Sequence, residues 1–246
     1  MLSFFSRKKQ QPFPFHRLVT DMHSHLIPGI DDGSPGIETS ELLLKGLLDL
    51  GYSNFITTPH VMEDLYPNNP GTINEAFNLW KSRSEFPALS NYVRPAAEYL
   101  LDGNVDSLLE RKEKLQTLKD NMVLVEISFA SPPLHLKELL FQLQMNGYQP
   151  VFAHPERYAF YHQHTKEYAE IKAAGCLFQS NLLSFSGYYG SGVKQAAEWL
   201  VQKKMIDLLG TDLHHEKHLY HLRELHATAA LSSLLDEQGL MNSNLW

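Results

Sequence analysis

Two histidines one residue apart, His23 and His25, follow a short apolar run, Leu18-Val19-Thr20, that reads as a strand. Alternate strand residues point to one side, so both imidazoles face the same way. Two carboxylates, Asp31 and Asp32, come a few residues later. Imidazole and carboxylate together are the start of a site for a divalent cation. A lone His-x-His pair is common in proteins that bind nothing, so further donors must come from elsewhere. His60, Glu98, Glu126, His154, Asp212 and His214 supply them, each at or just past the end of a strand-like run. Asp212-Leu213-His214 repeats the alternation of the first pair. Nitrogen and oxygen donors without thiolate favour Zn, Mn or Fe(II) over iron–sulfur or Cu(I). So many donors exceed one tetrahedral site and suit two or three ions sharing a bridging carboxylate. Such clusters activate water and clamp both ends of an in-line displacement at phosphorus. Arg157, in His154-Pro155-Glu156-Arg157, adds a planar fork for phosphate oxygens. Asp31 and Asp32 compete for one ligand position, and Asp-Asp-Gly is also an ordinary turn sequence.

The spacing predicts the elements that carry these residues. Apolar positions at helical intervals (Leu43, Leu44, Leu47, Leu48) predict a helix over 38–50, closed by Gly51. Strands are expected at 54–58, 92–98, 122–127, 150–154, 177–181 and 206–212. Helices are expected at 72–84, 106–118, 136–145, 166–174, 193–203 and 219–235. This α/β alternation makes seven βα units and argues a mostly parallel sheet, closed or nearly closed into a barrel. In a βα barrel the carboxyl ends of the strands share one rim, where the scattered donors would meet.

Composition bounds the rest. The chain has 246 residues, 43% of them hydrophobic and 20% charged, which suits one large domain. Residues 18–246 are expected to form it, with 1–17 a flexible tail. Contact of that tail with a membrane surface is the weaker alternative. The net charge of −7 disfavours nucleic acid as the main partner. The single cysteine, Cys176, and the lack of any long apolar run point to a cytoplasmic protein without a transmembrane segment. Position 182 is Leu, so Cys176 lacks the arginine that a thiolate phosphatase loop needs. His215, His218, His221 and His226 read as surface residues, and Tyr188, Tyr189 and the loop 62–70 as a possible rim for an aromatic substrate.

These motifs resemble the PHP family (polymerase and histidinol phosphatase) of metal-dependent phosphoesterases, in particular its bacterial capsule and exopolysaccharide tyrosine-protein phosphatases. The resemblance rests on residues 21–33, Thr58-Pro59-His60, Glu98, Glu126, His154-Pro155-Glu156-Arg157, Asn181 and Thr211-Asp212-Leu213-His214, and spans about Leu18 to Leu235. It implies a distorted (β/α)7 barrel and three metal positions: His23, His25, Glu98 and Asp212; Glu98, Glu126 and His154; Asp32, His60 and His214. It selects Asp32 over Asp31. It implies hydrolysis of phosphotyrosine by a metal-activated hydroxide, with Arg157, Asp212 and His214 as catalytic candidates. The implied partner is a tyrosine autokinase of polysaccharide export. Relatives often carry a second arginine soon after the last motif. Here Lys217 and His218 occupy that stretch and are the candidate substitutes, though neither has the arginine fork. A small-molecule phosphomonoesterase of the histidinol-phosphate type, or a weakened metal-binding module, are the alternative readings.

Overall fold

The computed structural model describes residues 11–86 and 88–246. Helices and strands alternate along the chain: β1 (Thr20–Asp21), α1 (Ile37–Leu50), β2 (Asn54–Thr57), β3 (His60–Val61), α2 (Pro70–Arg83), β4 (Val93–Pro95), β5 (Glu98–Leu100), α3 (Gly103–Glu110), β6 (Met122–Glu126), α4 (Leu136–Met145), β7 (Gln149–Ala153), α5 (Thr165–Ala173), β8 (Leu177–Asn181), α6 (Ser191–Gln202), β9 (Leu208–Gly210), α7 (Glu216–Arg223) and α8 (Ala229–Glu237). All paired strands are parallel. They form a sheet of order β1-β2-β4 and a larger one of order β3-β5-β6-β7-β8-β9.

The expected strand 92–98 is divided, and the one at 54–58 is followed after a break by a further short strand. β2 and β3 are separated at Thr58-Pro59, and β4 and β5 at Ala96-Ala97. Pro59 and Pro95 have no N–H to give to a ladder, and each falls at one of these breaks. Hydrogen bonds still cross the gaps, from Ala96 N–H to Thr57 O (2.8 Å) and from Glu98 N–H to Pro59 O (3.1 Å). Segments just beyond β1 and β9 also pair. Asp212 N–H donates to His23 O (2.8 Å), His25 N–H to Leu213 O (2.9 Å) and Thr58 N–H to Ser24 O (2.7 Å).

Two expected helices differ. α3 stops at Glu110, because Lys112 has φ 56° and the following N–H groups of Leu115 and Gln116 donate to the hydroxyls of Tyr148 and Tyr99. The expected helix over 219–235 is two, α7 and α8, parted at the segment where Phe13 N–H donates to Leu225 O and Ala227 N–H to Gln11 O. The same contacts correct the expected tail over residues 12–17. Phe13 and Phe15 are buried in the core, and Arg17 donates to Asp236 and to the Leu235 carbonyl. The remainder of the expected tail, residues 1–10, lies outside the described residues.

Apolar residues of the helices and the strand faces they cover make the main core, including Leu43, Leu44, Leu139, Leu143, Phe152 and Phe178. A second cluster takes residues from β2, β6, β7 and β9: Ile56, Leu124, Val151 with Ala153, and Leu208, together with Met22 and Leu245. Strand side chains alternate between faces, so these residues share the face opposite the helices. No helix of the described residues is long and apolar enough to cross a membrane.

Candidate metal centre

The strands deliver their donors to one place. His23 and His25 lie just past β1, Glu126 ends β6, His154 follows β7, and Asp212 and His214 follow β9. His60 and Glu98 instead open β3 and β5, where they are paired in register. Cross-strand partners carry their side chains on the same face, so His60 and Glu98 project together. Glycine at two positions makes room. A Cβ on Gly210 would come within 2.7 Å of the His23 Cβ, and one on Gly33 within 2.4 Å of the His25 Cβ. His154 and Asp212 adopt left-handed backbone, with φ of 35° and 51°. Such strain persists where the surroundings over-determine it, and it gathers at functional sites.

All nine sequence-predicted donors converge. Glu98 is central. Its Oε2 lies 3.1 Å from His23 Nε2, 3.5 Å from His25 Nε2 and 3.2 Å from His60 Nδ1. Its Oε1 lies 3.2 Å from His154 Nε2. Glu126 Oε1 is 3.0 Å from His60 Nδ1, and Asp212 Oδ1 is 3.3 Å from His23 Nε2. Asp32 Oδ1 stands 3.4 Å from His60 Nε2 and 3.6 Å from His214 Nε2. Four overlapping sets of donors sit close enough to share a cation: His25, Asp32, His60 and His214; His23, His154 and Asp212; His23, His25 and Glu98; His60, Glu98 and Glu126. This grouping brings His25 to Asp32 and sets His154 beside His23 and Asp212, a finer pattern than the three implied positions.

A layer of hydrogen bonds aims the donors inward. Nδ1–H of His23 donates to Gln179 Oε1 (2.8 Å), that of His25 to Asp31 Oδ2 (2.8 Å) and that of His214 to Asp212 O (2.9 Å). Each bond leaves Nε2 with its lone pair toward the cluster. Gln179 Nε2 in turn donates to Asn181 Oδ1, and Asn181 Nδ2 to Asp212 Oδ2, both near hydrogen-bond optimum at 2.8 and 2.7 Å. Asp31 also accepts from the N–H groups of Gly33 and His60. It is therefore an orienting residue, and Asp32 is the acid of the pair that faces the donors. Gln179 carried no signal in sequence beyond its place in a strand.

The donors fit cations. His60 Nδ1, Glu98 Oε1 and Glu126 Oε1 are buried without a hydrogen-bond partner, although imidazole and carboxylate stand about 3 Å apart. Their lone pairs meet without a proton aligned between them, as ligands of a common ion do. Charge points the same way. Burial pulls the His23 ring toward neutrality, but Glu98 and Asp212 outweigh it and hold the pKa up at about 9, so the acids draw positive charge to Nε2, a proton when no cation takes its lone pair. Against burial, His23 holds the carboxyl groups of Glu98 and Asp212 well below the usual range. Ionised acids packed at this density require positive charge among them.

Beside the cluster lies a cavity of about 230 Å³ lined by Asp32, His60, Glu126, Phe129, His154, Arg157, Tyr189, Asp212, His214, His215 and His218. Arg157 Nη1 donates to Asp212 Oδ2 at 2.8 Å. The predicted substitutes for a second arginine part company. Lys217 is exposed, outside the cavity lining, with Nζ 5.7 Å from the Tyr188 ring centre. His218 lines the cavity, but burial and the neighbouring His215 push its pKa down to about 3, so it stands there as a neutral ring. Neither is a cation at the site as sequence suggested. Tyr189 of the expected rim lines the cavity. From the loop 62–70, Tyr66 stacks on His60 at 5.7 Å. Phe129 went unnoticed in sequence. Its only signal is its position just past the strand that ends in Glu126.

Comparison with known proteins places this geometry. The sequence profile of the CpsB/CapC family, capsular polysaccharide synthesis, matches residues 19–230. The chain belongs to this family. Among CpsB/CapC relatives it is 28% identical to the tyrosine-protein phosphatase YwqE of Bacillus subtilis (strain 168) over 221 residues, 90% of this chain and 85% of that one. It is 26% identical to the tyrosine-protein phosphatase CpsB of Streptococcus pneumoniae over 202 residues, 80% and 83% of the two chains. A solved structure from work on YwqE and CpsB, described as unique metal-dependent tyrosine phosphatases, aligns with a TM-score of 0.71 and 25% identity. That alignment covers 89% of this chain and 95% of the other.

Proposed function

We propose that this chain is a metal-dependent protein-tyrosine phosphatase of capsule or exopolysaccharide synthesis, acting in the cytoplasm on a phosphotyrosine protein such as a tyrosine autokinase. The observation that carries this reading is the convergence of nine nitrogen and oxygen donors beside a cavity that also holds Arg157. The names of the relatives agree with it. His23, His25, Asp32, His60, Glu98, Glu126, His154, Asp212 and His214 hold two or three divalent ions of the Mn, Fe or Zn kind. Bound there, the ions supply Lewis acidity toward water and phosphoryl oxygens. Arg157 offers its fork to the phosphate and stabilises charge that develops on it. Asn181 and Arg157 together occupy Asp212 Oδ2 and leave Oδ1 for the cluster. The cavity suits a phosphoryl group with an aryl ring at its mouth.

For the fold we propose one domain built as a single distorted (β/α)7 barrel, in which β2 with β3 and β4 with β5 are each one interrupted strand. Two observations support it: the pairing of residues 23–25 with 212–213, and the interior cluster drawn from β2, β6, β7 and β9 of both sheets.

The test is a phosphatase assay after chelation, with Mn, Fe, Co or Zn restored singly, on phosphotyrosine, phosphoserine and histidinol phosphate. Turnover of phosphotyrosine that returns with metal supports the reading. Preferred turnover of histidinol phosphate, or no turnover of any aryl phosphate by metal-loaded protein, overturns it.

A further inference from the structure

The geometry points to Phe129 and Tyr189 as positioning residues that hold the Arg157 guanidinium ready for phosphate. The inference rests on the phosphatase reading above. The Arg157 guanidinium carbon lies 4.7 Å from the centre of the Phe129 ring and 4.5 Å from that of Tyr189. Both rings line the cavity with it. A cation over an aromatic face is attracted by the ring quadrupole, and guanidinium stacks there better than ammonium. With two ring faces against its carbon, the guanidinium keeps its N–H edges for polar partners. One edge is used already, by Asp212 at 2.8 Å. That bond and the two rings constrain the head group from three directions, so the remaining N–H groups are presented in the cavity without a search.

An arginine side chain has large rotamer freedom, and an untethered one loses it on gripping a ligand. The clamp removes that loss beforehand. Phe129 is itself seated. Its ring stacks on His154 at 5.6 Å and leans on the buried Tyr158 at 5.4 Å. It nonetheless remains 49% exposed, so shortening it opens no core cavity.

The experiment compares Phe129→Leu, Phe129→Trp, Tyr189→Leu and Tyr189→Phe in the wild-type and Arg157→Ala backgrounds, all loaded with Mn. Steady-state kinetics on phosphotyrosine, the calorimetric Kd of inorganic phosphate and the metal content are measured. Phe129→Leu and Tyr189→Leu should each lower kcat/KM and weaken phosphate binding by about tenfold, with metal content unchanged. Phe129→Trp and Tyr189→Phe keep a ring face and should stay within about threefold of wild type. In the Arg157→Ala background the leucine variants should cost nothing further, since the group they position is gone. Equal losses with and without Arg157 would overturn the inference, as would a Phe129→Leu protein that binds phosphate normally. A wild-type protein that turns over no phosphomonoester would instead sink the functional reading, and the phosphate affinities alone would then decide the positioning role.

Discussion

Asp31 Oδ2 lies 2.8 Å from Nδ1 of His25 and turns the other ring nitrogen toward Glu98 and Asp212. The next residue, Asp32, reaches His60 and His214 instead. Adjacent acids thus have different tasks, and they separate in a metal titration. Asp32→Ala should bind roughly one ion fewer per chain and lose most activity. Asp31→Asn should reach full occupancy at high metal, with an affinity weaker by about 10- to 100-fold. Elemental analysis and titration of the chelated protein read both.

Glu98 is the acid on which four imidazoles converge, fully buried among them. Glu98→Ala should therefore lose metal and turnover together. Full activity at normal metal content would refute its bridging role.

Arg157 lines the cavity, and the exposed Lys217 does not. Arg157→Ala should reduce kcat/KM by about 100-fold while metal content holds, and Arg157→Lys should recover little, because a point charge lacks the fork. Lys217→Ala should stay within about twofold of wild type, as expected of an exposed side chain away from the chemistry. A large loss in Lys217→Ala would return that residue to the phosphate.

Burial pushes the Cys176 thiol up to about 12. The unfolded chain releases this proton near the ordinary thiol pKa of about 8.5. The folded state is thus favoured by this group below about pH 8.5, and that favour is lost as pH climbs toward 12, at about 1.4 kcal/mol per unit. Iodoacetamide at pH 8 should leave the native protein unmodified and active, and should label Cys176 only after denaturation. The melting-temperature difference between wild type and Cys176→Ala should shift against wild type from pH 8.5 to 10.5.

The residues that converge were legible because chemistry confines their types. An i, i+2 pair of histidines after an apolar run is weak evidence alone, but joined by Asp212, His214 and further acids and imidazoles at strand ends it points to a cation site. Which donors share an ion was not legible, since it depends on register between strands such as β3 and β5, far apart in sequence. The orienting layer was harder still. Gln179 looks like any strand residue until His23 is found against it. Phe129 gains its role only from Arg157 beside it. The breaks at Thr58-Pro59 and Ala96-Ala97 follow from prolines that were visible, yet a proline alone does not say whether a strand bends, ends or resumes. The packed segment 12–17 was read as loose because chain termini usually are; the partners that hold it, including Leu225, come from the other end of the chain.

That last kind of contact has a temporal side. His23 receives Asp212 across nearly the whole length of the polypeptide, and a ribosome must translate as far as His214 before the cage can exist. A nascent chain exposes unpaired histidines and acids throughout synthesis, yet it can hold the full complement of ions only once its last donors emerge. Any fragment that ends before Asp212 lacks two of the nine donors, so the complete set assembles only when both ends of the fold meet.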